Sequence, residues 1–305
     1  MDIRKLLIKN DVILAEAAIT EALRHSNKVE LHPRLVNALL IYDRAGEREL
    51  SHLYNDYISV AHKAGVPIVI CTPTWRANKE RLSETKLSSN VNKDAVNFMK
   101  QLRSNWSSWE GNILIGGLIG CKNDCYKPAE GLSSQDAYDF HLWQLNKLAE
   151  AGVDFLIAET LPSVPEAKGI AQAMSKTGIP YLICFVINRK GKILDGNTLE
   201  YAFNEIDSVC DTPPTGFMIS CSYPSFLNAD KQPGSIFSRL IGYLANASSL
   251  DQSELDGAKT LEFDDISDWG NRMIELNRRY AVKILGGCCG TNARHLQYIV
   301  DNLNI

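Results

Sequence analysis

Eight cysteines punctuate this chain, and three of them stand where chemistry could be done. Cys288 and Cys289 are adjacent in Gly286-Gly287-Cys288-Cys289-Gly290-Thr291, directly after the apolar run Val282–Leu285. Neighbouring side chains of a strand point to opposite faces. Two such sulfurs can serve one ion only if the backbone turns at the pair, and the flanking glycines permit such a turn. Cys221, just past the apolar run Gly216–Ser220, would add a third thiolate. Three thiolates suit Zn²⁺, whose catalytic sites keep the fourth position open. By formal count such a complex carries a charge of about −1 and activates water poorly. It suits an incoming thiol, whose pKa of about 8.5 leaves it protonated at neutral pH until coordination removes the proton. The competing reading is plain packing, because free cysteine is among the most buried residue types.

Other residues invite weaker readings. Glu159 closes the apolar run Asp154–Glu159. A buried acid needs a partner, which a ligand or a structural salt bridge would supply. Thr72 ends another run, where its hydroxyl would bond a substrate carboxylate or cap the next segment. Trp75 and Arg76 follow it. An arginine fork suits a donor bearing carboxylate or phosphate, whereas aromatic faces suit a cationic methyl donor. Cys121 and Cys125 form a C-x₃-C without two further ligands at clear spacing, so a second zinc site is the weaker reading there. His295 reads as a solvated or capping histidine. Arg278, Arg279 and Lys283 read as charge at a helix end, where cations suit the dipole.

These residues need a scaffold that gathers strand ends. Strands are expected near Val12–Ala18, Val66–Thr72, Ile113–Ile119, Asp154–Glu159, Tyr181–Ile187, Gly216–Ser220, Gly242–Asn246 and Val282–Leu285. Several are continuous apolar runs, as strands covered on both faces require. Helical patterns fill the gaps at 47–64, 92–109, 133–151, 163–177, 198–209, 267–280 and 292–302, several closed by glycine. Eight strands alternating with helices give the α/β class and, within it, the (β/α)8 TIM barrel, here one domain over residues 1–305. Tyr223–Leu240 and Ser248–Asp265 read as loop insertions. An open doubly wound sheet is the competing fold, but the first strand lacks a G-x-G-x-x-G turn. In the barrel, chemistry belongs at the C-terminal strand ends. Glu16, Thr72, Glu159, Cys221, Cys288 and Cys289 all fall there.

Composition bounds the function. The chain has 305 residues, 45% hydrophobic and 22% charged, with net charge −4. That is the balance of a globular protein, without the basic excess of a nucleic-acid binder. No apolar run approaches the roughly 20 residues a membrane span needs. The first residues lack a secretory pattern, so the expected compartment is the cytoplasm, where cysteines stay reduced.

The stretch GGCCGTNARHL resembles the C-terminal zinc motif of the homocysteine S-methyltransferase family. That family includes betaine- and S-methylmethionine-dependent enzymes and the homocysteine domain of cobalamin-dependent methionine synthase. GFMISCSYP resembles the family's sixth strand, with Ser220 in an asparagine's place before Cys221. DFLIAETLPSVPEAKGIA resembles its fourth strand and following helix, with Glu159-Thr160 as the Glu-Thr pair. The resemblance, which also takes in GLIG at 117–120, covers most of the chain. It implies a zinc enzyme that methylates homocysteine to methionine, with Glu159, and Glu16 by position, on the substrate ammonium. The chain departs from the pattern at its first turn, LAEAAITEAL, where Ala17 and Ala18 replace common glycines. A second departure is Thr72-Pro73-Thr74-Trp75, where Thr-Asn-Thr-Tyr is common. The donor and acceptor are therefore more open than the chemistry. A folate or corrinoid methyl group would arrive on another protein. The alternatives are another thiol methylated from a corrinoid protein, or a non-enzymatic zinc or redox-sensing barrel whose thiols oxidise and release metal.

Overall fold

The computed structural model describes residues 2–85, 90–255 and 260–303. Eight parallel strands close into a barrel in sequence order: β1 (Ile13–Ala15), β2 (Ile68–Cys71), β3 (Ile113–Gly120), β4 (Phe155–Leu161), β5 (Tyr181–Phe185), β6 (Gly216–Ser222), β7 (Leu240–Ala245) and β8 (Ile284–Gly287). β8 pairs with β1 through Ile13–Ile284 and Leu14–Leu285. No helix among the described residues is long and apolar enough to cross a membrane.

The period-two alternation of a strand sorts its residues. Ile13, Val69, Leu114, Phe155, Ile157, Leu182, Met218 and Ile284 fill the barrel interior. Leu14, Ile68, Ile70, Leu156, Ile183 and Leu285 pack outward under the helices. Both faces are dry, so the strands read as continuous apolar runs. Truncating one such side chain to alanine costs about 2–5 kcal/mol.

The first strand is shorter than its sequence pattern, because after Ala15 the chain leaves the sheet to turn into the helix Thr20–Ser26. The helix expected over 92–109 is Val91–Ser104. Trp106 and Trp109 instead pack edge-on against His62, and Trp106 Nε1 donates to Asn55 Oδ1 at 2.8 Å. The insertion after β6 holds three 3-10 turns, Pro224–Leu227, Ala229–Lys231 and Gly234–Ser238. That after β7 holds the short helix Gln252–Leu255, and its residues 256–259 lie outside the described residues.

Four short helices, Ile3–Lys9, Thr20–Ser26, Lys79–Ser83 and Gln252–Leu255, were not expected from the sequence. Ile3–Lys9 plugs the N-terminal end of the barrel, with Ile3 fully buried among the interior side chains. Lys283 Nζ donates to Leu7 O at 2.9 Å and Asn10 O at 3.1 Å, so its charge serves that helix's C-terminus. With that end plugged, the C-terminal rim is the end left open in the described residues.

Candidate functional site

A cavity of about 510 Å³ occupies that rim, and Glu16, Thr72, Glu159, Cys221, Cys288 and Cys289 all border it. The fold therefore brings together all six residues singled out from the sequence.

The cysteines get there by different means. Alternation along β8 sends Leu285 outward and Cys288 toward the axis. The chain then turns. Cys288 N donates to Ala245 O at 2.7 Å, and Thr291 Oγ1 closes on Cys288 O at 2.6 Å. Gly290 has φ +79°, a conformation that suits glycine, and its N–H is bound by the Glu21 carboxylate. Cys221 should point outward, since Phe217 and Ile219 do. A bulge between Ser220 and Ser222, with Cys221 at φ +50°, turns it into the mouth instead. The three sulfurs lie within 4.8 Å of one another, a spacing that one ion with bonds of about 2.3 Å bridges with small side-chain movements. Among the described residues this is the only such group. Cys121 and Cys125 are buried on a loop, and neither belongs to this group.

The donor set itself fits a cation. S–H donation from Cys221 and Cys289 pulls Cys288 down to about 6, while the same contacts push Cys221 well up. Crowding allows one thiolate, and a divalent ion is what would permit three. Tyr126 lies beside the cluster, and burial together with these sulfurs keeps its phenol neutral.

The acids sit deeper. Alternation along β4 carries Phe155, Ile157 and then Glu159 inward. Glu159 Oε1 lies 3.9 Å from Cys71 Sγ, and burial pushes its carboxyl up to about 7. Glu16 Oε2 accepts from Cys71 N at 2.6 Å; burial raises it well above the usual range, and the neighbouring Glu159 raises it further. Neither has a salt bridge among the described residues, so no structural ion pair there accounts for Glu159. Two acids facing one cavity without a cation are thus held toward their neutral forms.

Thr72 borders the cavity with its hydroxyl engaged. Thr74 Oγ1 donates to Leu118 O at 2.6 Å, so the 2.7 Å contact between the two hydroxyls must be donated by Thr72. Thr72 also accepts from Leu118 N at 3.0 Å. Its proton thus braces the strand ends, and bonding a carboxylate would require that chain to rearrange. Trp75 Nε1 donates to Thr160 Oγ1 at 2.9 Å, across Gly120, where a Cβ would stand 2.3 Å from that nitrogen. His295 is a capping residue with Asn292, but it is buried against Trp269 rather than solvated.

Sequence reasoning missed Glu21 and Tyr126. Burial, then the Cys289 sulfur, push Glu21 up to about 7. Its only signal was an acid in the first turn of a short helix.

A closed (β/α)8 barrel with a three-thiol cluster at its C-terminal mouth defines the class. The family model for homocysteine S-methyltransferase matches residues 12–303, and the chain belongs to that family. Homocysteine S-methyltransferase 1 of Arabidopsis thaliana is 26% identical over 181 residues. That match covers 57% of this chain and 53% of that protein, so the chain spans about half the length of this curated relative. The metallated form of the homocysteine methyltransferase MmuM from Escherichia coli superposes with TM-score 0.75 at 18% identity, covering 98% of this chain and 99% of that one. Its oxidized form gives 0.77 at 17% identity, over 97% and 98%. At these identities the likeness is one of fold.

Proposed function

We propose that this chain is a zinc-dependent S-methyltransferase that moves a methyl group onto the sulfur of homocysteine, giving methionine. The observation that carries the reading is the convergence of Cys221, Cys288 and Cys289 in one cavity with two carboxyls that have no ion-pair partner among the described residues. These cysteines would hold the zinc, in keeping with the metallated form of the E. coli relative. The chemistry a bound zinc ion supplies there is removal of a thiol proton at neutral pH.

The chain's own residues do the rest. Glu159, with Glu16 beside it, receives the substrate ammonium and fixes the amino acid's distance from the thiol cluster. The Cys71 amide holds Glu16 in place. Trp75, pinned by Thr160, walls the mouth and excludes water. Substrate sulfur attacks the donor's methyl carbon in line: a sulfur–carbon bond forms, the carbon–heteroatom bond breaks, and the leaving group keeps its electron pair. Positioning supplies much of the rate. The need for reduced thiols fits the cytoplasm.

The test is metal analysis of protein purified without added zinc, with assays of homocysteine against S-methylmethionine, betaine and a methylated corrinoid protein. One equivalent of zinc, lost in Cys288→Ala, and methionine formation are expected. Metal well below one equivalent and unchanged in Cys288→Ala, or no methionine from any donor, refutes the reading.

A further inference from the structure

Glu166 is a buried acid that the proposed reaction does not use. It is 1% exposed and sits in the first turn of the helix Val164–Ser175, which follows β4. Its Oε1 accepts from Lys122 N at 2.8 Å and its Oε2 from Leu132 N at 3.3 Å. Burial alone would raise its carboxyl. The bond with buried His141 Nε2 at 3.2 Å and the two amide bonds outweigh burial and hold it below the usual range. An ionised carboxylate only accepts, so His141 must donate. Three donors thus converge on one side chain.

Lys122 and Leu132 bound the loop that follows β3. One carboxylate therefore ties both ends of segment 122–132 to the start of the next βα unit. At the far end the fit is close, since a Cβ on Gly131 would stand 2.5 Å from Ser163 Oγ. Inside the loop, Asn123 Nδ2 donates to Glu130 O at 2.7 Å and joins its two limbs. From the β2 side, Arg76 Nη1 donates to Cys121 O at 2.6 Å and Asn123 O at 2.8 Å, and Arg81 to Lys122 O at 3.4 Å. What this frame carries into the cavity is Tyr126. Its half-buried ring packs on the core and borders the mouth with Cys221, Cys288 and Cys289.

We propose that Glu166 is a positioning residue: by clamping both ends of segment 122–132 it holds Tyr126 as a shield between the thiol cluster and solvent. The inference deepens the methyltransferase reading and rests on it for its purpose, because a thiolate that must meet a methyl carbon has to be kept from water and oxidants. An acid serving only its own helix would bond amides of that first turn. This one gives both oxygens to another βα unit, at the two points that fix the loop.

Glu166→Gln keeps the shape but offers one acceptor and one donor group to three donors, so one end of the loop must be released. The test uses the chain as purified, without substrates. Two rates are read by mass spectrometry: hydrogen exchange of peptides across 122–132, and alkylation of Cys221, Cys288 and Cys289 by iodoacetamide. Both should rise about ten- to hundredfold in Glu166→Gln, the weight of one hydrogen bond to a charged group. Val96→Ala, a core truncation outside the cavity lining, supplies general destabilisation and should leave both rates unchanged. Tyr126→Ala should speed alkylation and Tyr126→Phe should not. Alkylation unchanged in Glu166→Gln, or raised equally in Val96→Ala, overturns the proposal. If Glu166→Gln fails to fold, Asn123→Ala, at a half-buried site, decides, and alkylation no faster there overturns it. In turnover, Glu166→Gln should lower kcat while homocysteine binding measured without donor keeps its wild-type affinity. Faster alkylation in a chain that transfers no methyl group in any assay would refute the enzymatic reading and leave the clamp; methyl transfer with unchanged alkylation would do the reverse.

Discussion

Replacing Glu159 by glutamine separates what the carboxylate costs the empty barrel from what it contributes to binding. Burial raises its pKa from 4.5 to about 7. The folded protein therefore holds this proton more tightly than the unfolded chain does. The stability that comes from holding it is fully present below about pH 4.5 and is lost as pH rises through about 7. At about 1.4 kcal/mol per pH unit, the gap amounts to about 3 kcal/mol at pH 8 and about 1 kcal/mol at pH 5. Glutamine is neutral throughout and keeps the shape. Ligand-free Glu159→Gln should therefore be more stable than wild type, by about 3 kcal/mol at pH 8 and by much less at pH 5. Urea unfolding at the two pH values measures this. The same variant should bind homocysteine about 1.5–3 kcal/mol more weakly, the range for hydrogen bonds to charged groups, with zinc content unchanged. A variant no more stable at pH 8 than wild type would refute the desolvation argument. Wild-type homocysteine affinity would refute the ammonium contact, and the altered LAEAAITEAL turn would then point to a thiol that is not an α-amino acid.

Two further outcomes follow from the same geometry. Glu21→Leu removes the carboxylate that anchors the Gly290 amide, and partners that orient metal ligands are worth about ten- to hundredfold in affinity. Zinc competition with a chelating dye should show that loss, and unchanged affinity would leave the anchor without a role. Methionine, which carries the ammonium but no thiol, should bind up to about tenfold more tightly at pH 8 than at pH 6, as Glu159 ionises through about 7. The dependence should vanish in Glu159→Gln, and tighter binding at the lower pH would show that the carboxylate is not the ammonium's partner.

Much of this architecture was legible because its causes are local. Apolar runs such as Val66-Pro67-Ile68-Val69-Ile70 mark strands dry on both faces, and glycines at 65, 152 and 178 close helices in the left-handed region. The gathering of Glu159, Cys221 and Cys288 at one mouth followed from counting strands. What stayed hidden depends on contacts between distant segments. Nothing in LAEAAITEAL says that Glu21 reaches the turn after β8. Nothing in CKNDCY says that Tyr126 folds back against the thiols, or that the loop's carbonyls collect Arg76 and Arg81. The alternation rule alone would have sent Cys221 into the outer core.

The exception at Cys221 has a counterpart on β4, and the two explain each other. Thr160 has φ +60° and Cys221 φ +50°, and both lie at register breaks in parallel strands. Non-glycine residues held in this region cost about 1–3 kcal/mol each and persist only where the surroundings over-determine them. Here the determining contact joins the two breaks. Thr160 N donates to Ser220 Oγ at 3.1 Å, and Ser220 immediately precedes Cys221. Ser222 Oγ, on the other side, accepts from Ile187 N at 3.0 Å. The residue after Glu159 is thus tied to the residue before Cys221 across β5, the strand between them. The carboxyl proposed for the ammonium and the sulfur proposed for the metal therefore form one rigid unit rather than two adjustable loops. That rigidity fixes the distance between a bound ammonium and a bound sulfur, which is the quantity an enzyme for one amino-acid thiol must control. It also explains how a serine serves in the asparagine's place before Cys221: the position requires an acceptor for the bulged amide of Thr160, and a hydroxyl supplies one.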